Sequence, residues 1–204
     1  MALLILDPMR EQDIRKKYFR EEDERYLETW DGVDVMSPLP NDDHQGFIGR
    51  MMMVLGITIE EPGLGLVRPG VNVTDRHQDW KSNYRCPDVV VYLNSNSAIN
   101  YGTHWLGGPD FLAEIISPGE DRIAKVPFYT SINTGEILIV DRDPWQLELL
   151  RIQNQQAHSV GISTLVHPQI LSATSIGFTF QLIGQMPRPN IEMIHVASGQ
   201  RWIA

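Results

Sequence analysis

The sequence predicts a single domain of the α+β class, mixed α/β in character and built around one curved sheet. The 204 residues, 42% of them hydrophobic and 21% charged, suffice for one sizeable core and are short for two. Strand-like apolar runs outnumber helical patterns, especially in the second half of the chain. No internal repeat or change in composition marks a linker between two folded parts.

The N-terminal part of the chain predicts a charged helix followed by a β-hairpin. Residues 8–24 have the composition of a short, solvated helix in which both signs of charge are mixed. The dipeptide Asp31-Gly32 between the strand-like runs 25–30 and 33–36 is a strong signal for a two-residue hairpin turn.

A longer amphipathic helix is predicted after the hairpin. Asn41 or Asp42 supplies an N-cap, and apolar residues from Phe47 to Leu55 recur at three- and four-residue spacing. We expect this helix to extend to about Glu60 and to cover one face of the sheet.

The second half of the chain predicts strands with one further helix. That helix spans about residues 120–132, and its Pro127 is tolerable only within the first turn or two. Residues 184–204 are interpreted as a proline-rich tail. The predicted strands span residues 66–74, 86–93, 111–117, 136–141, 147–152 and 177–183.

The composition limits which kinds of binding site and which cellular locations are expected. Cys86 is the only cysteine, which excludes an intrachain disulfide and a cysteine-based zinc cluster, and we expect the reducing cytoplasm. No membrane association is expected, because no run approaches the length of apolar sequence that a spanning helix needs. The net charge of −9 disfavours a sequence-independent nucleic-acid coat protein, whereas an enzyme acting on nucleic acid needs only a local basic groove.

Two carboxylates are embedded in runs of apolar β-formers. Asp88 precedes Val89-Val90-Val91, and Glu114 lies inside the run 111–117. A buried carboxylate needs a cation, hydrogen-bond donors or water, because an unpaired one is costly or is forced to protonate. Two on neighbouring strands indicate a shared metal, and oxygen ligands favour Mg²⁺. A buried polar network is the alternative.

Asp110, in a second Pro-Asp pair, is a competing ligand. Asp110 and Glu114 share one face of a strand but are separated by about 13 Å at roughly 3.3 Å per residue, too far to bind one ion. Asp88, on an adjacent strand, can approach Glu114 more closely. We interpret Asp110 as a strand-start or turn residue.

Phosphoryl chemistry also commonly uses a lysine to compensate charge on the phosphate. Ile116, two residues after Glu114 and on the same face, offers no charge. The next lysine is Lys125 on the predicted helix, with Tyr129 one helical turn after it. Lys125 reaching back to the sheet would fill the same space; a solvated lysine on the helix surface is the alternative.

These motifs together resemble the PD-(D/E)XK nuclease superfamily, and most closely its Uma-two family. Their order and spacing match over most of residues 25–183. The matching segments are Pro87–Val91, Gly108–Pro118, Asp121-x-x-x-Lys125-x-x-x-Tyr129 and Gly135–Asp141, preceded by Tyr26-Leu27-Glu28-x-x-x-Gly32 and by Met36-Ser37-Pro38 leading to His44.

The resemblance implies a restriction-endonuclease-like fold with a core over residues 25–183, inside one domain 1–204 that begins with a helical segment over 1–24. It implies that Asp88 and Glu114 bind Mg²⁺, or Mn²⁺ as a substitute, and that the catalytic lysine is displaced onto the helix as Lys125. His44 is a possible accessory residue, with helix capping or a surface position as the alternatives.

Two functions are compatible with these residues. The first is a Mg²⁺-dependent DNA endonuclease, expected to act as a homodimer because cutting both strands needs two sites. The second is a catalytically inactive member that keeps the fold as a binding or regulatory protein.

Overall fold

The structure, a computed structural model, describes residues 3–4, 27–36, 40–117, 121, 123–184 and 188–204. The predicted helix over 8–24 lies outside these residues. Helix α1 (Asp42–Leu55) continues into a π-helical turn (Gly56–Glu60), and helix α2 is Val126–Ser131. The strands in chain order are β1 (Leu3–Leu4), β2 (Leu27–Trp30), β3 (Val33–Met36), β4 (Gly65–Pro69), β5 (Val73–Thr74), β6 (Tyr84–Arg85), β7 (Val89–Leu93), β8 (Ile99–Asn100), β9 (Trp105–Leu106), β10 (Phe111–Ile115), β11 (Glu136–Arg142), β12 (Trp145–Gln153), β13 (Gln156–Thr164), β14 (Leu171–Ala173), β15 (Phe178–Ile183), β16 (Asn190–His195) and β17 (Arg201–Ile203).

A six-stranded mixed sheet forms the centre, in the order β13-β12-β11-β10-β7-β4. Strand β10 is parallel to β11 and antiparallel to β7. All five residues of β10 are buried, so both faces of the sheet are covered at this strand. Side chains alternate between the faces: Phe111 and Ala113 belong to one core cluster and Leu112 to the other. Glu114 therefore shares the face of Leu112.

The first face is covered by α1 and by a second sheet. Apolar residues of α1, among them Phe47 and Met51, are fully buried against β10 and β11. A four-stranded sheet, β14-β15-β16-β17, adds Phe178 and Phe180 to the same core. Helix α1 thus covers one face of the central sheet with its apolar side, as the spacing of its apolar residues predicted.

The other face is covered by α2 and by a third sheet, in the order β1-β3-β2-β6-β5-β9-β8. Phe128, Tyr129 and Ile132 pack on Leu112 and its neighbours in the second core cluster. Among the described residues, none of the helices has the length and apolar character needed to span a membrane.

The α+β class, the hairpin and the extent of the long helix are confirmed, whereas three finer expectations are wrong. The described residues form three sheets rather than one. The run 66–74 breaks at Gly70, where φ is +55°, and its two halves join two different sheets. Residues 190–195 and 201–203 form strands rather than a tail, since alternate residues such as Ile191 and Met193 are buried. Helix α2 is shorter than 120–132, and Pro127 lies in its first turn.

Gly135 lies between α2 and β11, and a substitution there tests how closely the parallel strands β10 and β11 pack. A Cβ added at Gly135 would collide with the backbone carbonyl of Asp110. We expect Gly135→Ala to lower the free energy of unfolding by about 1–3 kcal/mol in urea titrations. Gly46→Ala in α1 is the matched control: a Cβ there meets nothing within 4 Å, and the variant should gain up to about 1 kcal/mol. Equal effects at both positions would contradict the strand packing.

Candidate functional site

The carboxylates of Asp88 and Glu114 are brought together by the register of two neighbouring strands. Asp88 immediately precedes β7, and Glu114 is the fourth residue of β10. Ala113 pairs with Val89 in the antiparallel register, so the next position places Asp88 opposite Glu114. Residues opposite each other in such a pair have Cβ atoms about 4.5–5.5 Å apart. The predicted adjacency is therefore present in the fold.

Both oxygens of Asp88 have partners. The backbone N–H of Ile115 donates to Oδ2 at 2.7 Å, and Nε2 of His44 lies 2.9 Å from Oδ1. An ionised carboxylate only accepts hydrogen bonds, so Nε2 is the protonated ring nitrogen in this contact. Nδ1 of His44 is buried and has no hydrogen-bond partner among the described residues. Asp88 is thus held from the strand and from α1.

His44 reaches Asp88 because another residue caps α1. The side chain of Asn41 accepts the backbone N–H of His44 at 3.0 Å, and it also accepts a hydrogen bond from Arg142 at 2.7 Å. The capping role that the sequence offered for His44 belongs to Asn41. A surface position is also wrong, since His44 is only 8% exposed.

Glu114 is buried between a tyrosine and a lysine of the following helix. The hydroxyl of Tyr129 donates a short hydrogen bond to Oε1 of Glu114. Oε2 lies 3.4 Å from Nζ of Lys125. Tyr129 is fully buried and its backbone N–H donates to the carbonyl of Lys125, so one helical turn supplies both contacts. The sequence motif placed Tyr129 near the lysine but gave it no contact with Glu114.

Lys125 occupies the N-cap position of α2. Its ammonium lies on the sheet face where Ile116 is buried in the second core cluster, so the helix supplies the charge that the strand lacks. The side chain of Lys125 is 14% exposed, which rules out the solvated alternative.

Sequence reasoning assigned no contact to Glu28, which also lies at this site. Nζ of Lys125 is 2.8 Å from Oε1 of Glu28, closer than it is to Glu114. Glu28 was one letter of a family motif in β2, and its partner lies 97 positions along the chain. That motif was the available signal for Glu28, because β2, Leu27–Trp30, is too polar to mark a buried acid by pattern.

Asp110 does not join the site. Its Oδ2 accepts the backbone N–H of Leu93 at 2.7 Å and the side chain of Asn96 at 2.9 Å. Asp110 therefore ties the start of β10 to the turn after β7, in the strand-start role that the sequence favoured.

Burial and neighbouring charge perturb the titration of this site. Burial raises the pKa of Glu114 to about 8, and the carboxylates of Asp88 and Glu28 act in the same direction against the opposing effect of Lys125. Burial alone would lower the pKa of Lys125, but Glu114 and Glu28 outweigh it and hold that pKa well above its usual range. The ammonium of Lys125 therefore stays charged at neutral pH.

The donor set limits what this site can bind. Within the described ranges, no group of three or more His, Cys, Asp or Glu side chains is placed to hold a metal ion. Two carboxylates, from Asp88 and Glu114, fit Mg²⁺, which commonly keeps water and substrate oxygens as its remaining ligands. They do not fit a structural zinc site, which takes four protein ligands.

The raised pKa of Glu114 predicts how stability changes with pH. The folded state holds this proton more tightly than the unfolded chain, whose pKa is near the ordinary value of 4.5. The contribution is complete below that value and is lost as pH rises through about 8. In metal-free urea titrations from about pH 5 to pH 8, wild type should lose several kcal/mol relative to Glu114→Gln. Parallel pH profiles would contradict the assignment.

Comparison with known proteins identifies a family for the chain and a solved structure with a similar fold. The model of the Uma2 family, described as "Putative restriction endonuclease", matches residues 12–182. A crystal structure of a protein from Anabaena variabilis, described as "a putative nuclease belonging to DUF820", is similar with a TM-score of 0.54 and 17% identity, over 65% of this chain and 75% of that chain. That likeness shows a shared fold alone. No curated protein matches the chain. Because the family match spans more than half of the sequence, the chain belongs to the Uma2 family of nuclease-fold proteins.

Proposed function

We propose that the chain is a Mg²⁺-dependent endonuclease that hydrolyses DNA phosphodiester bonds at a PD-(D/E)XK-type site, with its lysine supplied by α2. One observation carries the proposal: the strand register sets Asp88 opposite Glu114, and the ammonium of Lys125 lies 3.4 Å from Oε2 of Glu114. Two acids that can hold a metal ion, beside an amine that can compensate charge on the phosphate, suit metal-assisted phosphodiester hydrolysis.

The charge of the site favours a divalent cation. The carboxylates of Glu28, Asp88 and Glu114 outnumber the two buried cations beside them, Lys125 and Arg85, so full ionisation leaves one negative charge uncompensated. Asp88 and Glu114 would hold Mg²⁺, or Mn²⁺ in its place. When bound, the ion activates water and stabilises charge on the phosphate.

The protein's own groups divide the remaining work. Lys125 places a permanent positive charge where the phosphate would accumulate negative charge, which lowers the barrier. His44 orients Asp88 through Oδ1, and Tyr129 orients Glu114 through Oε1. Such supporting contacts fix the direction of the ligand lone pairs.

DNA as substrate, a homodimer and a cytoplasmic location complete the proposal. Cleavage of both strands needs two sites, which a dimer provides. The net charge of −9 opposes DNA binding at a distance, so we expect contact to depend on the bound cation and to weaken as salt rises. The single free cysteine, Cys86, suits a reducing compartment.

A Mn²⁺ titration by calorimetry tests the ligand pair. Asp88→Asn removes one charge and keeps the side-chain shape, so we expect Mn²⁺ affinity to fall at least about tenfold. Asp110→Asn is the matched control because Asp110 follows a proline in the same way and lies outside the site; its affinity should equal that of wild type. Equal affinities of Asp88→Asn and wild type would remove Asp88 from the ligand set.

Plasmid nicking tests the lysine. Lys125→Met keeps the length of the side chain and removes the charge, so we expect Mn²⁺ binding to persist while the nicking rate falls by about 10²–10³-fold. An unchanged nicking rate would show that Lys125 takes no part in catalysis. If wild type binds Mn²⁺ and cleaves no DNA under any condition, the chain is instead the inactive binding protein of the second hypothesis.

A further inference from the structure

Glu28 is a buried acid to which the proposed reaction gives no direct step. It is 3% exposed, and three donors converge on it. The backbone N–H of Cys86 donates to Oε1 at 2.8 Å, the indole N–H of Trp30 donates to Oε2 at 2.8 Å, and Lys125 donates to Oε1 at 2.8 Å. The N–H groups of Cys86 and Trp30 alone fix the orientation of this carboxylate, independently of Lys125.

The ammonium of Lys125 is shared unequally between two carboxylates. It lies 2.8 Å from Glu28 and 3.4 Å from Glu114. Lysine is a compact charge on a flexible stem, so its position follows the strongest partner. Without Glu28, the ammonium would close on Glu114 and occupy the oxygen that faces it. Glu28 therefore competes with Glu114 for the lysine.

A buried arginine holds the two elements that carry this ion pair. The guanidinium of Arg85 lies 4.4 Å from the ring centroid of Trp30 and 4.3 Å from that of Phe128. Trp30 belongs to β2 with Glu28, and Phe128 belongs to α2, three residues after Lys125. Cation–π contacts of this kind are strongest when desolvated, and Arg85 is buried. Packing thus holds the backbones that carry Glu28 and Lys125 together, and the flexible stem of Lys125 decides only which carboxylate its ammonium approaches.

We propose that Glu28 is a positioning residue that holds the Lys125 ammonium away from Glu114, so that Glu114 keeps an oxygen for the cation and the ammonium stays available to the phosphate. The inference rests on the proposed function. Glu28 touches neither the cation nor the substrate in this role, and it acts through Lys125.

A double-mutant cycle on Mn²⁺ affinity tests this role without any need for cleavage. Glu28→Gln should weaken Mn²⁺ binding about 10- to 100-fold, the usual effect of losing a supporting contact. In the Lys125→Met background the same substitution should have an effect about tenfold smaller, because the competing ammonium is gone. Mere loss of a negative charge would weaken binding equally in both backgrounds, and that result would overturn the proposal.

Two further variants separate positioning from folding. Glu136→Gln is the matched control, since Glu136 is 2% exposed and ion-paired to Arg151 at 2.7 Å outside the site; it should leave Mn²⁺ affinity unchanged. Glu28→Asp keeps the charge and should bind Mn²⁺ more tightly than Glu28→Gln, whatever stability either variant loses in thermal unfolding. If Glu28→Asp is as weak as Glu28→Gln, charge at this position is not what matters and the proposal fails.

Cleavage gives an independent readout. If wild type nicks plasmid, Glu28→Gln should lower kcat more than it raises KM, because the displaced lysine acts on the reacting phosphate rather than on DNA binding. A change confined to KM would contradict the role. If wild type does not cleave, the proposed function fails while the Mn²⁺ cycle still decides the role of Glu28.

Discussion

A carboxylate in the middle of a covered sheet must be compensated, and this constraint on Glu114 organises the site. Strand β10 is buried on both faces, so water cannot solvate Glu114 as it would at a surface. The hydroxyl of Tyr129 and the ammonium of Lys125, which lie one helical turn apart at the start of α2, provide this compensation. The compensation is incomplete, as the raised pKa of Glu114 indicates. The remaining deficit is what a cation would fill.

The two covered faces of the sheet explain why the site needs parts from distant segments. Helix α1 lies on one face and contributes His44 from its first turn, which contacts Asp88 just before the start of β7. Helix α2 lies on the other face and contributes Lys125. The hairpin strand β2 closes that side with Glu28. Three elements packed against one strand pair hold the charged groups with little freedom, which suits preorganised electrostatic catalysis.

Much of this arrangement is readable from the sequence, and the exceptions have physical reasons. An acid inside a run of apolar β-formers identified Asp88 and Glu114, because burial of a charge is improbable without a role. Arithmetic along the strand excluded Asp110. The role of Glu28 was not predicted, because its contact with Lys125 joins segments 97 residues apart and local sequence patterns carry no information at that range. The strands after Ile183 were not predicted, because Gly and Pro residues precede a run of only six residues in which apolar and polar side chains alternate.

The central claim is that Asp88 and Glu114 share one divalent cation beside Lys125. The most direct measurement is a crystal of the protein soaked in Mn²⁺, with the anomalous difference map calculated at the manganese edge. The proposal predicts one strong peak in contact with both carboxylates, with Nζ of Lys125 still paired to Glu28. A map without a peak at these carboxylates, with ordered Mn²⁺ elsewhere or none, would contradict it.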